Sequence, residues 1–326
     1  MRAVQVITPT GPAALEVRDV EEPAPGPDDV LVEVRRVGIS FPDLLLSKGE
    51  YQLKPEPPFT LGVDFAGTVV RPAESGAGGF EAGQRVAGVG AYGGAAERVA
   101  TPAMFTFALP DALSFDEGAA LPMNYLTAQF ALAERGGLRA GETVLVHGAA
   151  GGVGTATIQV AKGYGARTIA VVSSDEKAAV AKRAGADETV LVDGFRDAAL
   201  ALTEGRGVDV VVDVVGGDLF TDSLRVLAPQ GRLLVVGFAA GQGIPQVKVN
   251  RLLLNNVDVR GVGWGAYAMT RPGYMQEQWA ALVPMMESGV VRPPIGATYD
   301  LEDFGRALSD MEARRTLGKS VVRVRD

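Results

Sequence analysis

Residues 144–165, VLVHGAAGGVGTATIQVAKGYG, hold the residue types most readily turned to chemistry. Ala149, Gly151 and Gly154 fall where a G-x-G-x-x-G fingerprint has its three small residues, with Gly148 just before them. Gly151 admits a pyrophosphate to the backbone, and Gly154 lets the following helix pack on the preceding strand. The helix N-terminus then offers N–H groups and positive dipole to the anion. A bare glycine triplet is a weak signal, but strand, loop and helix in that order within a series of βα repeats make it a strong one. Ala150, Gly151, Gly152, Val153 and Gly154 are therefore expected to cradle a dinucleotide, against the alternative of a tight turn with no ligand.

The next strand, TIAVV, ends in Ser173-Ser174, followed by Asp175, Glu176 and Lys177. An NAD site usually has an acid about 20 residues past the loop for the ribose hydroxyls. Ser173, Ser174 and Lys177 instead suit a 2′-phosphate and favour NADP(H). Asp175, only a residue or two late, keeps NAD open. The competing explanation is that Ser174 caps the next helix while Asp175 and Glu176 favour its dipole. His147 is the only histidine and closes a buried strand. With no Asp, Glu or second histidine near it in sequence, it reads as packing rather than as an acid–base catalyst.

These residues need elements to position them. From about residue 120, strand candidates TVLVH, RTIAVV, ETVLV, VDVVVDVV and RLLVVGF alternate with helical segments GTATIQVAKGY, SDEKAAVAKRAGA and DLFTDSLRVLA. Near-continuous Val/Leu runs indicate strands buried on both faces, and the alternation indicates a doubly wound parallel sheet. The first third differs: VLVEVRRVGIS, FTLGVDFAGTVVRP and QRVAGVG read as strands separated by PAPGPDD and ESGAGGFEAG, a β-rich, barrel-like unit. After VDVRGVGWGAY come a helix, MQEQWAALVPMMESG, and a tail that reads as helix then strand. That tail is expected to return to the first domain.

Composition narrows the classes. A chain of 326 residues with 47% hydrophobic residues has enough material for two domains. A net charge of -8 without a Lys/Arg block argues against a nucleic-acid partner. The absence of cysteine excludes disulfides, iron–sulfur clusters and thiolate zinc sites. MRAVQVITPT lacks the basic-then-apolar form of a secretory signal, and no charge-free apolar run reaches about 20 residues, so a cytoplasmic protein with no membrane span is expected.

AAGGVGTATIQVAK, together with VGISFPDLLLSKGEYQ, PFTLGVDFAGTV, AALPMNYLTAQFAL, LLVVGFAAG and LLLNNVDVRGVGWGAY, resembles the medium-chain dehydrogenase/reductase superfamily, specifically its zinc-free quinone oxidoreductase, zeta-crystallin-like branch. The resemblance covers essentially the whole chain. It implies an α/β fold in which a Rossmann doubly wound parallel sheet is inserted into a β-rich GroES-like catalytic domain. The implied boundaries are 1–121 for the catalytic domain, 122–262 for the Rossmann domain and 263–326 for the return. It also implies NADPH as hydride donor, bound in the cleft between domains, and a homodimer made through edge strands, here Val257 to Val262.

Site residues follow by matching positions. The branch's N-F/Y-x-D motif reads Ser40-Phe41-Pro42-Asp43, which keeps a hydroxyl but shortens its reach. Tyr51 matches a tyrosine facing the cleft and is a candidate proton donor or carbonyl orienter, with a domain-edge aromatic as the alternative. Asn124, Tyr125 and Thr127 match a segment beside nicotinamide and ribose, which implies Thr127 as a cofactor contact, Asn124 and Tyr125 as shapers of substrate choice, and Asn124, with Ser40 and Tyr51, as a candidate catalytic residue that orients the carbonyl. Gly237, Phe238 and Ala239 end the fifth strand, where the nicotinamide would rest. Gly318-Lys319-Ser320 resembles a region that folds back toward the adenosine phosphate, which makes Lys319 a cofactor ligand. Asp193 stands where the family often has a tyrosine near that phosphate, a departure that weakens the case for NADP. Trp264 and Tyr267 either line the pocket or pack as core.

Zinc-dependent members use a cysteine and a His-Glu pair where this chain has Ser40 and Val63-Asp64, so no zinc site is expected. Reducing a simple ketone develops a localised alkoxide that a Lewis acid stabilises. A quinone or enone spreads the charge, and hydrogen-bond donors can then suffice. The expected activity is NADPH-dependent reduction of quinones or other α,β-unsaturated carbonyls. The competitors are an enoyl-thioester (acrylyl-type) reductase and a non-enzymatic NADPH-binding structural protein.

Overall fold

The computed structural model describes residues 1–325, which divide into two compact units. The first unit holds Met1–Met123, Pro272–Met286 and the segment from Ile295; the second holds Asn124–Arg271 and Glu287–Pro294.

The first stretch contributes strands β1 (Arg2–Val6), β2 (Leu15–Asp19), β3 (Asp29–Gly38), β4 (Phe59–Thr60), β5 (Asp64–Arg71), β6 (Arg85–Val89), β7 (Arg98–Pro102) and β8 (Thr106–Ala108). Helix α1 (Phe41–Ser47) follows β3, and α2 (Phe115–Ala120) follows β8. The stretch FTLGVDFAGTVVRP is not one strand: β4 pairs with β1, whereas β5 pairs with β3 and β6, so the chain changes sheet within Leu61–Val63. Val30, Val32, Val34, Val69 and Val86 point into one core with Leu44, Leu46, Leu61 and Phe65. At Gly38 the helix α2 comes so close to β3 that a β carbon would stand 2.0 Å from the Ala119 carbonyl oxygen.

The second unit begins with α3 (Pro122–Gln129), whose first two residues still belong to the first. It then alternates β9 (Thr143–Val146), α4 (Gly152–Gly163), β10 (Arg167–Val172), α5 (Asp175–Arg183), β11 (Glu188–Leu191), α6 (Phe195–Leu202), β12 (Val208–Asp213), α7 (Leu219–Arg225), β13 (Leu227–Val235), α8 (Asn250–Asn255), β14 (Asp258–Gly261) and α9 (Trp264–Ala268). All pairings are parallel, in the order β11-β10-β9-β12-β13-β14. The order reverses direction at β9, so the loop after β9 lies at the switch point where open α/β sheets bind ligands. Helix α6, from FRDAALAL, buries Phe195 and Ala199 against the sheet.

The chain then returns. Helix α10 (Tyr274–Glu287) stacks Trp279 on Phe107 at 4.7 Å and donates its indole N–H to the Ala108 carbonyl, 3.1 Å away. Strand β15 (Ile295–Asp300), helix α11 (Phe304–Glu312) and strand β16 (Lys319–Arg323) complete the first unit. Strand β16 pairs antiparallel with β3, matching Val321 to Gly38, so the second unit is an insertion in the first. Among the described residues no helix is long and apolar enough to cross a membrane.

Candidate functional site

In the second unit, the strand-to-helix bend has the geometry its sequence predicts. Gly148 takes a φ of 62°, and a β carbon on Gly154 would stand 2.2 Å from the Gly148 carbonyl oxygen. The turn and the helix packing therefore both require glycine. Gly151 is the N-cap of α4 and brings no capping side chain, so the first-turn amides remain for an outside acceptor. Such a bend fits a pyrophosphate. Gly152 has a further reason to lack a side chain: a β carbon there would stand 2.5 Å from the Asn124 side-chain nitrogen. Asn124 and Thr127 are both buried, and Asn124 lies directly against the glycine loop.

At the tip of β10, Ser174 caps α5 by accepting the Lys177 backbone N–H, as the capping alternative anticipates. Lys177 Nζ also donates to Ser173 Oγ at 3.1 Å, which gathers hydroxyl and ammonium at one solvent-facing corner. Asp175 is exposed in the first turn of the helix. At the end of β13 the amides of Gly237 and Ala239 donate to the Asp213 and Val214 carbonyls, leaving the Phe238 ring largely exposed. Trp264 is buried; Tyr267 packs on Phe130 at 5.0 Å and is covered by the Arg271 guanidinium, 3.6 Å from its ring centre.

His147 is fully buried and stacks edge-on to Phe195. Ser223 donates its hydroxyl to the Leu219 carbonyl, so the 2.8 Å contact from its Oγ to His147 Nε2 takes the imidazole N–H. Among the described residues the Nδ1 lone pair has no partner, nor does Asp213 Oδ2, whose Oδ1 accepts from Val215 and Gly216. Burial lowers the His147 pKa to about 4, opposed by the Asp213 charge. The ring is therefore neutral core, but it does have a carboxylate neighbour, brought from another strand and invisible in local sequence.

The first unit holds a second cluster. Ser40 caps α1 from a fully extended approach, and its backbone N–H donates to Asp43 Oδ2 at 3.0 Å. Asp43 Oδ1 accepts from the amides of Gly62 and Val63. Ser40 Oγ donates to Asp64 Oδ2 at 2.7 Å, and Asp64 Oδ1 takes the Met123 N–H at 2.8 Å. Lys319 Nζ completes the group, 2.6 Å from Ser40 Oγ and 2.8 Å from Asp64 Oδ2.

All four side chains are buried. Burial raises the Asp43 pKa to about 7, helped by the neighbouring Asp64 charge and opposed by the Ser40 N–H and Lys319. Tyr51 packs half-buried on the same core; burial and then the Asp43 charge push its phenol up, so it keeps its hydroxyl proton through neutral pH.

Lys319 thus corrects its sequence expectation. Its ammonium is sealed inside the first unit between a serine and an aspartate, and it is not a surface cation available to a phosphate. The space for its stem is visible at Gly38, where a β carbon would stand 2.9 Å from Lys319 Cε. Zinc does not fit these residues: Val63 is aliphatic, and Asp64 is already bonded to an ammonium. Among the described residues no group of three or more His, Cys, Asp or Glu could hold a metal ion.

Two stretches of the chain match known families. Residues 26–111 match the family described as alcohol dehydrogenase GroES-like domain, and 152–288 match the one described as zinc-binding dehydrogenase. Quinone oxidoreductase-like protein 2 of Mus musculus is 36% identical over 308 residues, 94% of this chain and 87% of its own length. A probable oxidoreductase from Mycobacterium abscessus superposes with a TM-score of 0.90 at 42% identity, covering 99% of each chain. Escherichia coli quinone oxidoreductase complexed with NADPH superposes at 0.89 with 28% identity, covering 99% of this chain and 100% of that one.

Proposed function

This chain belongs to the zinc-free quinone oxidoreductase-like branch of the medium-chain dehydrogenase/reductase superfamily and is an oxidoreductase; from that premise we propose that it uses NADPH to reduce quinones or other α,β-unsaturated carbonyls. The observation that carries this reading is the presence of both a dinucleotide bend and a buried cluster in which Ser40 and Asp64, at metal-ligand positions of zinc-dependent relatives, are bonded to each other and to Lys319. When bound, NADPH supplies a hydride from its C4. Gly151, Gly152, Val153 and Gly154 hold the pyrophosphate with Ala150, and Asn124 braces the bend from behind Gly152. Ser173 and Lys177 receive the 2′-phosphate. Thr127, Gly237, Phe238 and Ala239 serve the nicotinamide end. Ser40 and Tyr51 address the acceptor's oxygen, where the incoming charge is delocalised enough for hydrogen bonds to hold it.

The NADPH-complexed quinone oxidoreductase of Escherichia coli supports the cofactor, and the mouse relative's name supports the substrate class. We also propose a cytoplasmic homodimer joined along β14. It is one of the two edges of its sheet among the described residues, and the segment before it exposes Leu253 at 76% and Leu254 at 74%, with Ile244 and Val249 nearby in sequence. The test is NADPH oxidation by the purified chain over a panel of quinones and enones. Turnover on this panel is expected. NADPH binding without oxidation on any acceptor would sink the assignment in favour of a nucleotide-bound structural protein.

A further inference from the structure

The triangle of Ser40, Asp64 and Lys319 is more than a strand clamp. Strands β3 and β16 are already joined through Val321, Val322 and Arg323 opposite Gly38, Val37 and Arg36. A lysine sealed at 4% exposure costs desolvation that pairing offsets only when every hydrogen bond is made. Ser40 Oγ is the one neutral member: it gives its proton to Asp64 Oδ2 and receives a hydrogen bond from Lys319 Nζ. If the hydroxyl swings away, Asp64 keeps the ammonium on Oδ2 and the Met123 N–H on Oδ1, so no buried acceptor is abandoned.

We propose that Lys319 is the proton reservoir for the reduced acceptor and acts through Ser40. This rests on the reductase reading and on Ser40 addressing the acceptor's oxygen. Hydride addition leaves an enolate or hydroquinone oxyanion. The Ser40 Oγ–H bond breaks as the product O–H bond forms, and Oγ takes a proton from Lys319 Nζ. The lysine is left as a neutral amine hydrogen-bonded to Asp64 and regains its proton by the reverse path, through Ser40, from water that replaces the departed product. Lys319 is thus a positioning and supply residue, Ser40 is the group that meets the acceptor, and Tyr51 orients rather than donates.

The test compares the unmutated chain with Lys319→Met and with Asp64→Asn/Lys319→Met, the second removing both charges of the ion pair so that Asp64 is not left buried without its ammonium. Each is assayed with an electron-poor quinone, whose reduced anion is a weak base, and with a simple enone, whose enolate is a strong one. NADPH affinity is followed by fluorescence. The relay predicts a loss about 100-fold larger on the enone than on the quinone, because general-acid assistance grows with the basicity of the oxygen being protonated. NADPH affinity should hold. Equal losses on both acceptors would mean a purely structural role and overturn the relay while leaving the reductase reading intact. An unmutated chain silent on both acceptors would overturn the reductase reading, and the relay with it. Should the single variant not fold, the charge-free double variant decides alone.

Discussion

Gly154 and Gly148 are held so closely that a single methyl group cannot be placed between them: a β carbon on Gly154 would lie 2.2 Å from the Gly148 oxygen and 2.7 Å from the Ala149 α carbon. Both obstacles are backbone and cannot swing aside. Gly154→Ala should cost about 2 kcal/mol of stability, in the range of overpacked cores, and abolish NADPH binding. Gly151→Ala should behave differently. Gly151 has an ordinary φ of -88°, and the nearest neighbour of its β carbon would be 3.4 Å away. That variant should melt like the parent yet bind NADPH at least about tenfold more weakly, since its methyl occupies the anion's approach. Thermal melts and fluorescence titrations on both variants check the pair.

Cofactor choice should be separable from cofactor binding. Lys177 is held by Ser173 at an exposed corner. Lys177→Ala should raise the Kd for NADPH by about tenfold, a charge-assisted contact's worth, and leave the Kd for NADH unchanged. Tighter binding of NADH than NADPH by the unmutated chain would assign the corner to Asp175 and the ribose hydroxyls instead.

His147 has a specific acid signature. Its folded pKa is depressed from 6.5 to about 4, so below pH 6.5 the unfolded chain takes up the proton first. The stability it contributes is present above that value and is lost as the pH falls toward 4, by about 3 kcal/mol in all. Asp43 runs the opposite way. Its pKa is raised from 3.8 to about 7, so its contribution is present below 3.8 and declines as the pH rises through 7. The two offset one another in the parent. The difference between His147→Gln and the parent isolates the histidine: the parent should be the more stable at pH 7, and its advantage should shrink by about 3 kcal/mol near pH 4. Urea unfolding at several pH values reads this directly.

The exposed leucines beside β14 give a test of association. Leu253→Asp/Leu254→Asp alters side chains that pack against nothing in one copy of the chain to any large extent, so folding should be unaffected. Sedimentation should move from dimer toward monomer. A monomeric parent would remove the proposal.

What the sequence made legible was local. The bend after β9 announced itself because its three small positions, its strand and its helix are contiguous, and five strands of the parallel sheet stood out as apolar runs. The tail could be read as helix then strand, and strand β16 pairs with β3. What escaped depends on distance along the chain. Lys319 meets Ser40 across 279 residues, and nothing in GKS distinguishes a lysine aimed at a phosphate from one aimed at a carboxylate. Asp213 lies on β12, so no stretch around His147 reveals it as the histidine's neighbour. The change of sheet inside FTLGVDFAGTVVRP was hidden for a related reason. Both halves favour strand, and only their different neighbours divide them.

The insertion of one unit within the other also has a consequence for synthesis. A ribosome releases the N-terminus first, and domains fold as their residues emerge. Every strand of the parallel sheet has been translated by Gly261, so that unit can complete its sheet while the nascent chain is still tethered. Ser40 and Asp64 are translated long before it, yet they wait for Lys319, which follows Asp64 by 255 residues. A product stalled or terminated before Lys319 would therefore be able to capture the nucleotide but would lack the lysine that answers Ser40 and Asp64.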